Sequence, residues 1–429
     1  MATTLERSGI APSEPIETNK ENLWRLSTPG GSESWGHSPY PRAEKKYFMI
    51  SCDTHLGVPG TLFRDRIDEK FKSLLPRMEV DSDGQRWMVS MEGGRREKLH
   101  EVPMEGEDKY RTAAGGSRAA TALNVEVDDT AIKLRIADQL ADGIDGEVVF
   151  PNGPGQLVFG TRNEELTLAL SQIYNNWAWE LCGPYSSFCN PTAVIPTINV
   201  ENAVAEIQRV AKMGYRVLTM PTKPVFGQSD VAHANYNLPM YDPMWAAIQD
   251  CDLTFTFHVS SGRDPRTSRG NGGAVINYLI HSLMPNIEPM ANICASGVID
   301  RFPNLRFALI ETGIGWLPWA LEAMDEAYLK HHFWVRPKLK HGLPSDYFRS
   351  NGASTFAEDK AGLALLEQYG LENNAVWAND YPHHEGTWPH SAQAIERQMG
   401  HLKEETRAKI LGLNAARFFK FDVPAKYSA

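Results

Sequence analysis

The chain has 429 residues, of which 42% are hydrophobic and 22% charged, as expected for a soluble globular protein with a large core. Its formal net charge of -10 argues against a nucleic-acid partner. No apolar run approaches the length of a membrane span, and the first twenty residues lack the apolar core of a secretory signal.

Two polar stretches flank the first predicted strand, one before it and one after it. Residues 1–45 are rich in Ser, Pro, Gly and Glu, and we interpret them as a loosely ordered N-terminal arm. Because the arm contains Trp24 and Trp35, the alternative is a segment that wraps a neighbouring subunit. A second polar, Gly-rich stretch lies at 76–120, so we expect a long insertion at about 60–125 within a single domain of residues 46–429.

Eight short apolar runs predict strands. Most are continuous rather than alternating in pattern, as parallel strands covered on both faces should be. The runs are 46–55, 143–152, 192–199, 215–222, 253–262, 305–313, 349–356 and 374–382, and helical patterns lie between them. Eight strands alternating with helices predict an α/β fold, a (β/α)₈ TIM barrel. An open doubly wound sheet is the alternative, but neither GxGxxG nor GxxxxGK[ST] supports it.

Ionisable side chains stand at four of the predicted strand ends, where the active site of such a barrel forms. Asp53 and His55 are two residues apart on the first strand and therefore point to the same side. His258 ends the fifth strand, Glu311 the sixth and Asp380 the eighth. Alone, His258 is interpreted first as a hydrogen-bonded core residue, with a ligand as the alternative, whereas buried carboxylates need a partner or a metal. Together the five form a nitrogen and oxygen ligand set that suits Zn²⁺, Mn²⁺ or Fe²⁺.

The sequence resembles the amidohydrolase-related family that includes aminocarboxymuconate-semialdehyde decarboxylase and the aromatic-acid decarboxylases. The resemblance spans roughly residues 46–420, and its most specific pieces are SGVIDRFPNLRFALIETGIGWLPWALEAMD (296–325) and WANDYPHHEGTWP (377–389). It implies a (β/α)₈ barrel holding one divalent metal. The implied ligands are an [H/E/D]xH pair on the first strand, a His on the fifth and an Asp on the eighth. In this chain they correspond to Asp53, His55, His258 and Asp380.

The sixth strand departs from the pattern of the decarboxylases. Those relatives end it in a GHMGE-like sequence whose His and Glu serve catalysis, whereas this chain reads IETGIG. Glu311 stands in for the His, and Ile314 falls where the Glu should be. We therefore expect Glu311 or Asp380 to act as a general acid or base in metal-assisted hydrolysis. Alternatively, Glu311 helps to bind a second metal, or it is a structural carboxylate.

Further candidates lie in loops and on one helix. His383, His384 and Glu385 follow Asp380 and are interpreted as substrate-facing groups or as groups that orient a ligand, with solvated loop residues as the alternative. Arg263 lies in a Gly-rich loop, where it would clamp a substrate carboxylate unless it is a surface arginine. His281 lies in a helical pattern, and a hydrogen-bonded structural histidine is its default interpretation.

Together these patterns predict a metal-dependent enzyme that hydrolyses a C–N, C–O or C–C bond in a small polar or carboxylate substrate. The alternatives are a dinuclear iron or manganese oxygenase, a non-oxidative decarboxylase and a non-catalytic partner subunit. The expected cofactor is one divalent Zn, Mn or Fe ion, with a second metal as an option. We expect a cytoplasmic homo- or hetero-oligomer without membrane partners, and its five cysteines, none in a CxxC pair, to be reduced.

Overall fold

The structure is a computed structural model that describes residues 32–89, 96–98, 128–225, 235–261, 271–383 and 386–427. All five cysteines fall within these ranges as free thiols, and four of them are buried. No helix in the described ranges is long and apolar enough to cross a membrane.

Eight parallel strands form one sheet, each paired with its neighbours in chain order. They are β1 (Ile50–Gly57), β2 (Gly146–Asn152), β3 (Cys189–Val194), β4 (Val217–Met220), β5 (Thr254–His258), β6 (Arg306–Ile310), β7 (Gly352–Phe356) and β8 (Ala375–Trp377). A bridge between Thr54 and Tyr381 links the first strand to the chain just past the last. This nearly closed ring confirms the (β/α)₈ TIM barrel and excludes the open doubly wound sheet.

Helices surround the barrel. The longer ones are Asp129–Ala141, Glu164–Cys182, Val200–Met213, Asp242–Asp250, Ile287–Ala295, Leu317–Lys330, Pro344–Asn351 and Ser391–Met399. Shorter helical segments are Leu62–Arg66, Glu69–Lys72, Gly273–Ile276, Val298–Arg301, Lys360–Leu365, Glu404–Ala408 and Asn414–Phe419, with π-helical turns at Asn277–Leu283 and Lys409–Leu413. Asn163 and Asn199 cap two of the longer helices by accepting backbone hydrogen bonds from Leu166 and Asn202, which explains where those helices begin.

The core lies in and around the barrel. Inside it, Ile50, Val148, Phe150 and Ile310 form one apolar cluster with Phe418 of the C-terminal helix. That helix therefore packs against one end of the barrel interior. The opposite end, where the strands finish, is the end that carries the polar side chains.

The bounds of the strands and the content of the insertion differ from the sequence prediction. The third strand, for example, is Cys189–Val194 rather than 192–199, because Asn190 and Pro191 also pair in register with β2. The predicted insertion contains an antiparallel sheet of Arg77–Val80, Arg86–Val89 and Arg96–Lys98, strands that the polar composition did not indicate. Residues 1–31, 90–95 and 99–127 lie outside the described residues, so the arm and the insertion boundaries remain predictions.

Candidate metal centre

The ends of four strands bring the predicted ionisable residues together. The Nε2 atom of His55 lies 3.3 Å from Asp53 Oδ1 and 3.2 Å from Asp380 Oδ1. The Nε2 atom of His258 lies 3.2 Å from Asp53 Oδ1 and 3.8 Å from Glu311 Oε2. Asp53, His55, His258 and Glu311 thus form one cluster whose donor atoms lie within 4.8 Å of one another. His55 also belongs to a second cluster, with Asp380 and His383.

Several donor atoms in these clusters are buried without a hydrogen-bond partner. Both ring nitrogens of His55, Oδ1 of Asp380 and Nδ1 of His383 are in this state. Asp53, His55, His258 and Asp380 are each at most 4% exposed. Such groups are costly to bury unless they are paired or coordinate a metal. The donor set therefore fits a divalent cation that accepts nitrogen and oxygen ligands.

Burial and the facing charges shift two pKa values in the cluster. Burial opposes ionisation of Asp53, but the adjacent rings of His258 and His55 outweigh it and lower the pKa of that carboxyl. Burial would lower the pKa of His55, but the adjacent carboxylates of Asp380 and Asp53 raise it to about 10. Both shifts have the same origin, because the carboxylates stabilise positive charge at the centre of the cluster, as they would stabilise a bound cation.

Local backbone geometry aims the ligating atoms. Glu311 and Asp380 follow their strands with φ of 60° and 53°, in the left-handed region that non-glycine residues seldom adopt. The amide of Glu311 donates to Thr355 Oγ1 at 2.6 Å, and that of Asp380 donates to the Asp53 carbonyl at 3.1 Å. The ring of His258 is oriented by a 2.8 Å contact between Nδ1 and the Val259 carbonyl, which leaves Nε2 facing the cluster.

The loop after β8 contributes His383 to the described site. The ring of His383 stacks on that of His55 with centroids 4.0 Å apart, and its Nδ1 lies 3.0 Å from Asp380 Oδ1. Its Nε2 lies 3.1 Å from Nδ2 of Asn152, a residue at the end of β2 that the sequence analysis did not select. His281 is buried and belongs to neither cluster.

Three other predicted site residues, Arg263, His384 and Glu385, lie outside the described residues. Their proposed roles in substrate binding or in orienting a ligand therefore remain predictions.

Comparison with known sequences assigns the family. The amidohydrolase family matches residues 135–421, which is most of the barrel. This chain belongs to the amidohydrolase family. The resemblance inferred from its strand-end motifs is thereby confirmed.

Curated relatives in this family are decarboxylases. The chain is 25% identical to gamma-resorcylate decarboxylase of Rhizobium sp. (strain MTP-10005) over 317 residues, covering 70% of this chain and 88% of that protein. It is 24% identical to gamma-resorcylate decarboxylase of Rhodococcus jostii (strain RHA1) over 311 residues, covering 68% and 87%.

Solved structures share the fold. An amidohydrolase of Mycobacterium avium subsp. paratuberculosis K-10 has a TM-score of 0.65 at 20% identity, covering 88% of this chain and 99% of that chain. 5-Carboxyvanillate decarboxylase of Sphingomonas paucimobilis has a TM-score of 0.59 at 20% identity, with 88% and 100% covered. Dihydroxybenzoic acid decarboxylase of Polaromonas sp. JS666, with bound manganese and the inhibitor 2-nitroresorcinol, has a TM-score of 0.58 at 18% identity, with 89% and 99% covered.

A buried ion pair lies behind the candidate metal-binding cluster of this amidohydrolase. Arg135 donates to both carboxylate oxygens of Glu147, at 2.6 and 2.8 Å, and also to the His55 carbonyl at 2.5 Å. Glu147 is fully buried and accepts from Gln139 and from the Cys189 thiol as well. Sequence reasoning missed this pair, although a glutamate inside the apolar run GEVVF carries the same signal that singled out Glu311.

A second buried network positions Asp380 through the residue before it. The Asn379 amide accepts from Ser51 at 2.8 Å and donates to Gln139 at 2.7 Å and to Asp142 at 3.2 Å. Asp142 also accepts from the backbone and hydroxyl of Ser391. Burial raises the pKa of Asp142 to about 7, although these hydrogen bonds work in the opposite direction.

A cavity of about 540 Å³ opens beside the cluster. Asp53, Glu311 and Asp380 lie at its polar end. The other walls are mainly apolar and include Leu279, Leu283, Met284, Trp316 and Phe356. This volume is within the range of small-molecule sites in proteins. A small molecule bound in the cavity would therefore lie next to the candidate metal-binding groups.

Proposed function

We propose that this amidohydrolase is a metal-dependent, non-oxidative decarboxylase of an aromatic carboxylic acid. The observation that carries the proposal is the cluster of unpartnered ligand atoms at the polar end of a largely apolar cavity. Decarboxylase relatives support this reaction above the hydrolysis that the sequence favoured. The shared fold and the manganese bound in one structural neighbour support a divalent metal.

Asp53, His55, His258 and Asp380 are the proposed metal ligands, and Glu311 faces the same space. When bound, the metal would supply positive charge that orients the acid group of the substrate. His383 lies against His55 and Asp380 and would help to fix their orientation. The ring of the substrate would lie against the apolar wall formed by Trp316 and Phe356.

Decarboxylation breaks the bond between the ring carbon and the carboxylate, and its electron pair stays on the ring carbon. That carbon must take up a proton as CO₂ leaves. Asp53, Glu311 and Asp380 carry three negative charges when ionised, one more than a divalent cation balances. The carboxylate of the substrate adds a fourth negative charge. A proton held on Glu311 would reduce this excess and would be available to the ring carbon, so we assign the general-acid role to Glu311.

The test is product analysis with protein loaded with Mn²⁺ and a panel of 2-hydroxylated benzoic acids, esters and amides. We expect CO₂ and the decarboxylated phenol from the acids, and loss of both after chelation. Hydrolysis of esters or amides without CO₂ release would overturn the proposal and restore the hydrolase prediction.

A dinuclear centre is the second candidate, favoured by the two clusters that share His55. Elemental analysis of protein purified without chelator or added metal separates the two. One equivalent of metal supports the mononuclear decarboxylase, whereas two equivalents with iron support the oxygenase alternative. The partner-subunit alternative requires a protein that retains no metal. Oligomeric state and cytoplasmic location remain predictions.

A further inference from the structure

The helical segment at the rim of the cavity is apolar and exposed. It runs through Gly273–Ile276 and continues as the π-helical turn Asn277–Leu283. Val275 is 71% exposed, Tyr278 49% and Leu279 48%. Exposed contiguous apolar surface of this kind marks a binding site rather than an ordinary solvent-facing helix.

The same segment forms part of the cavity wall. Tyr278 and Leu279 line the cavity while remaining about half exposed, and Leu283 lines it more deeply. An apolar part of the wall therefore continues from Trp316, inside the cavity, through Leu279 and Tyr278 to the outer surface. A ligand whose polar end faces Asp380 could extend along this wall and stay in apolar contact.

The charged side chains on the outer part of the wall are already engaged. Glu358 forms an ion pair with Arg397. Asp359 accepts from the backbone amides of Ile314 and Gly315 at 2.7 Å each. Among the described residues that line this cavity, all the charged side chains are acidic. The far end of a ligand would thus meet apolar side chains and these two engaged carboxylates, and no cation from the described lining.

We propose that the substrate is an acid with an extended apolar body, larger than one aromatic ring, such as a fused two-ring hydroxy acid. The inference rests on the proposed function for placing the acid group at the metal. The cavity of about 540 Å³ supports it, because sites of this size enclose drug-sized ligands rather than a single ring.

The test compares 2-hydroxybenzoate with 1-hydroxy-2-naphthoate, which carry the same hydroxy-acid group on one and two rings. Binding to the Mn²⁺-loaded protein is measured by calorimetry, and turnover is measured by CO₂ release. We expect the two-ring acid to bind at least about tenfold more tightly, the scale of discrimination that added apolar contacts give. Leu279→Asp should remove that preference.

Val275→Asp is the matched control, since Val275 is an exposed apolar residue of the same segment and does not line the cavity. It should retain the preference. Equal affinity for the two acids would overturn the inference while leaving decarboxylation in place. Preferential binding without CO₂ release would instead overturn the proposed reaction and keep the substrate class.

A second copy of the chain is the competing occupant of this rim. Analytical ultracentrifugation of the two variants and the unmodified protein detects it. If both substitutions dissociate an oligomer and neither changes the preference between the acids, the rim is a subunit contact and the inference fails.

Discussion

Glu311 distinguishes this site from an ordinary cluster of histidines and carboxylates. It follows β6 in the left-handed backbone region, and its Oε2 lies 3.8 Å from His258 Nε2. A residue in this region costs about 1–2 kcal/mol, which the surroundings must offset. Here the hydrogen bond from the Glu311 amide to Thr355 helps to hold it. The strained backbone at Glu311 aims its carboxylate toward His258, which is consistent with the role proposed for it.

Replacing Glu311 with Gln should lower kcat by about 10²–10⁴-fold, the usual contribution of a general acid. The amide preserves the size of the side chain, so folding and one equivalent of metal should be retained. Steady-state kinetics and elemental analysis of Glu311→Gln measure both effects. Glu322→Gln, on an exposed helix position, is the control. Loss of a metal equivalent with Glu311→Gln would point instead to the dinuclear centre.

Replacing His258 with Ala should abolish metal retention and activity together. His258 is 3% exposed, and its Nε2 lies 3.2 Å from Asp53 Oδ1. The substitution therefore removes a proposed ligand from the centre of the buried cluster. We expect metal affinity to fall by more than about 100-fold, beyond the loss typical of a residue that only supports a ligand. Isothermal titration with Mn²⁺ measures it, with His332→Ala, a surface histidine, as the control. A variant that keeps both properties would show that the ligand assignment is wrong.

At the scale of elements, the helix Asp129–Ala141 supports β1 from behind. Arg135 of that helix is 4% exposed, and it joins Glu147 on β2 to the His55 carbonyl on β1. Its guanidinium also lies over the Tyr381 ring, 4.9 Å from the centroid. One side chain therefore contacts both strands and the loop after β8, which fixes three elements of the site relative to one another.

Arg135→Met should destabilise the fold by about 3–5 kcal/mol, because it leaves the charge of Glu147 buried without its partner. The double variant Arg135→Met with Glu147→Met should recover most of that loss, since the pair is replaced by apolar side chains. Metal affinity should nevertheless remain about 10–100-fold weaker, because the His55 carbonyl has lost its donor. Urea denaturation and Mn²⁺ titration separate the two effects.

The pair Glu206 and Arg209 provides the matched control. Glu206 is 1% exposed and accepts hydrogen bonds from Nε and Nη2 of Arg209. Both residues lie on the helix Val200–Met213, and neither belongs to the candidate metal-binding clusters. Replacing both with Met should change stability without changing metal affinity. Full metal affinity in the Arg135 and Glu147 double variant would show that the ion pair serves the fold alone.

At the scale of the whole molecule, closure of the barrel and formation of the site are the same event. The backbone bonds from Asp380 to Asp53, 3.1 Å, and from His55 to Tyr381, 2.7 Å, join the two ends of the sheet. We call this junction between the first strand and the segment after the last strand the seam. The side chain of Asn379 connects the seam to the helix Asp129–Ala141 by a hydrogen bond to Gln139. The residues proposed as ligands thus come together only when the first and last strands meet.

The same seam makes stability depend on pH through Asp142, whose pKa rises from 3.8 to about 7 by burial. Between these values the folded protein holds more protons than the unfolded chain. The free energy of unfolding should therefore fall as pH rises from about 4 to 7, by at most about 1.4 kcal/mol per pH unit from this group. Above pH 7 the contribution becomes constant.

Urea denaturation of the metal-free protein between pH 4.5 and 8 measures this effect. Because other groups titrate as well, the quantity of interest is the difference between the unmodified protein and Asp142→Asn at each pH. That difference should change through the window and level off above it. Parallel stability curves for the two proteins would contradict the assignment to Asp142.

Much of the fold and the central cluster could be predicted from sequence. The eight apolar runs correctly predicted eight strands. Parallel strands are buried on both faces, so each is continuously hydrophobic over a few residues, and this pattern is visible in the local sequence. The pair Asp53 and His55 could be predicted because alternate strand residues share a face. The antiparallel sheet of the insertion was missed, since its short polar strands carry no comparable pattern.

The sequence by itself determined the barrel and which ionisable residues stand at its rim, because strand periodicity and chain order suffice for both. Only the tertiary structure decided that Arg135 supports the His55 carbonyl, that Asn379 joins Ser51 to Asp142, and that the cavity opens onto an apolar rim. Those contacts join residues from 80 to 328 positions apart. They depend on how helices pack against strands, and no local pattern records that packing.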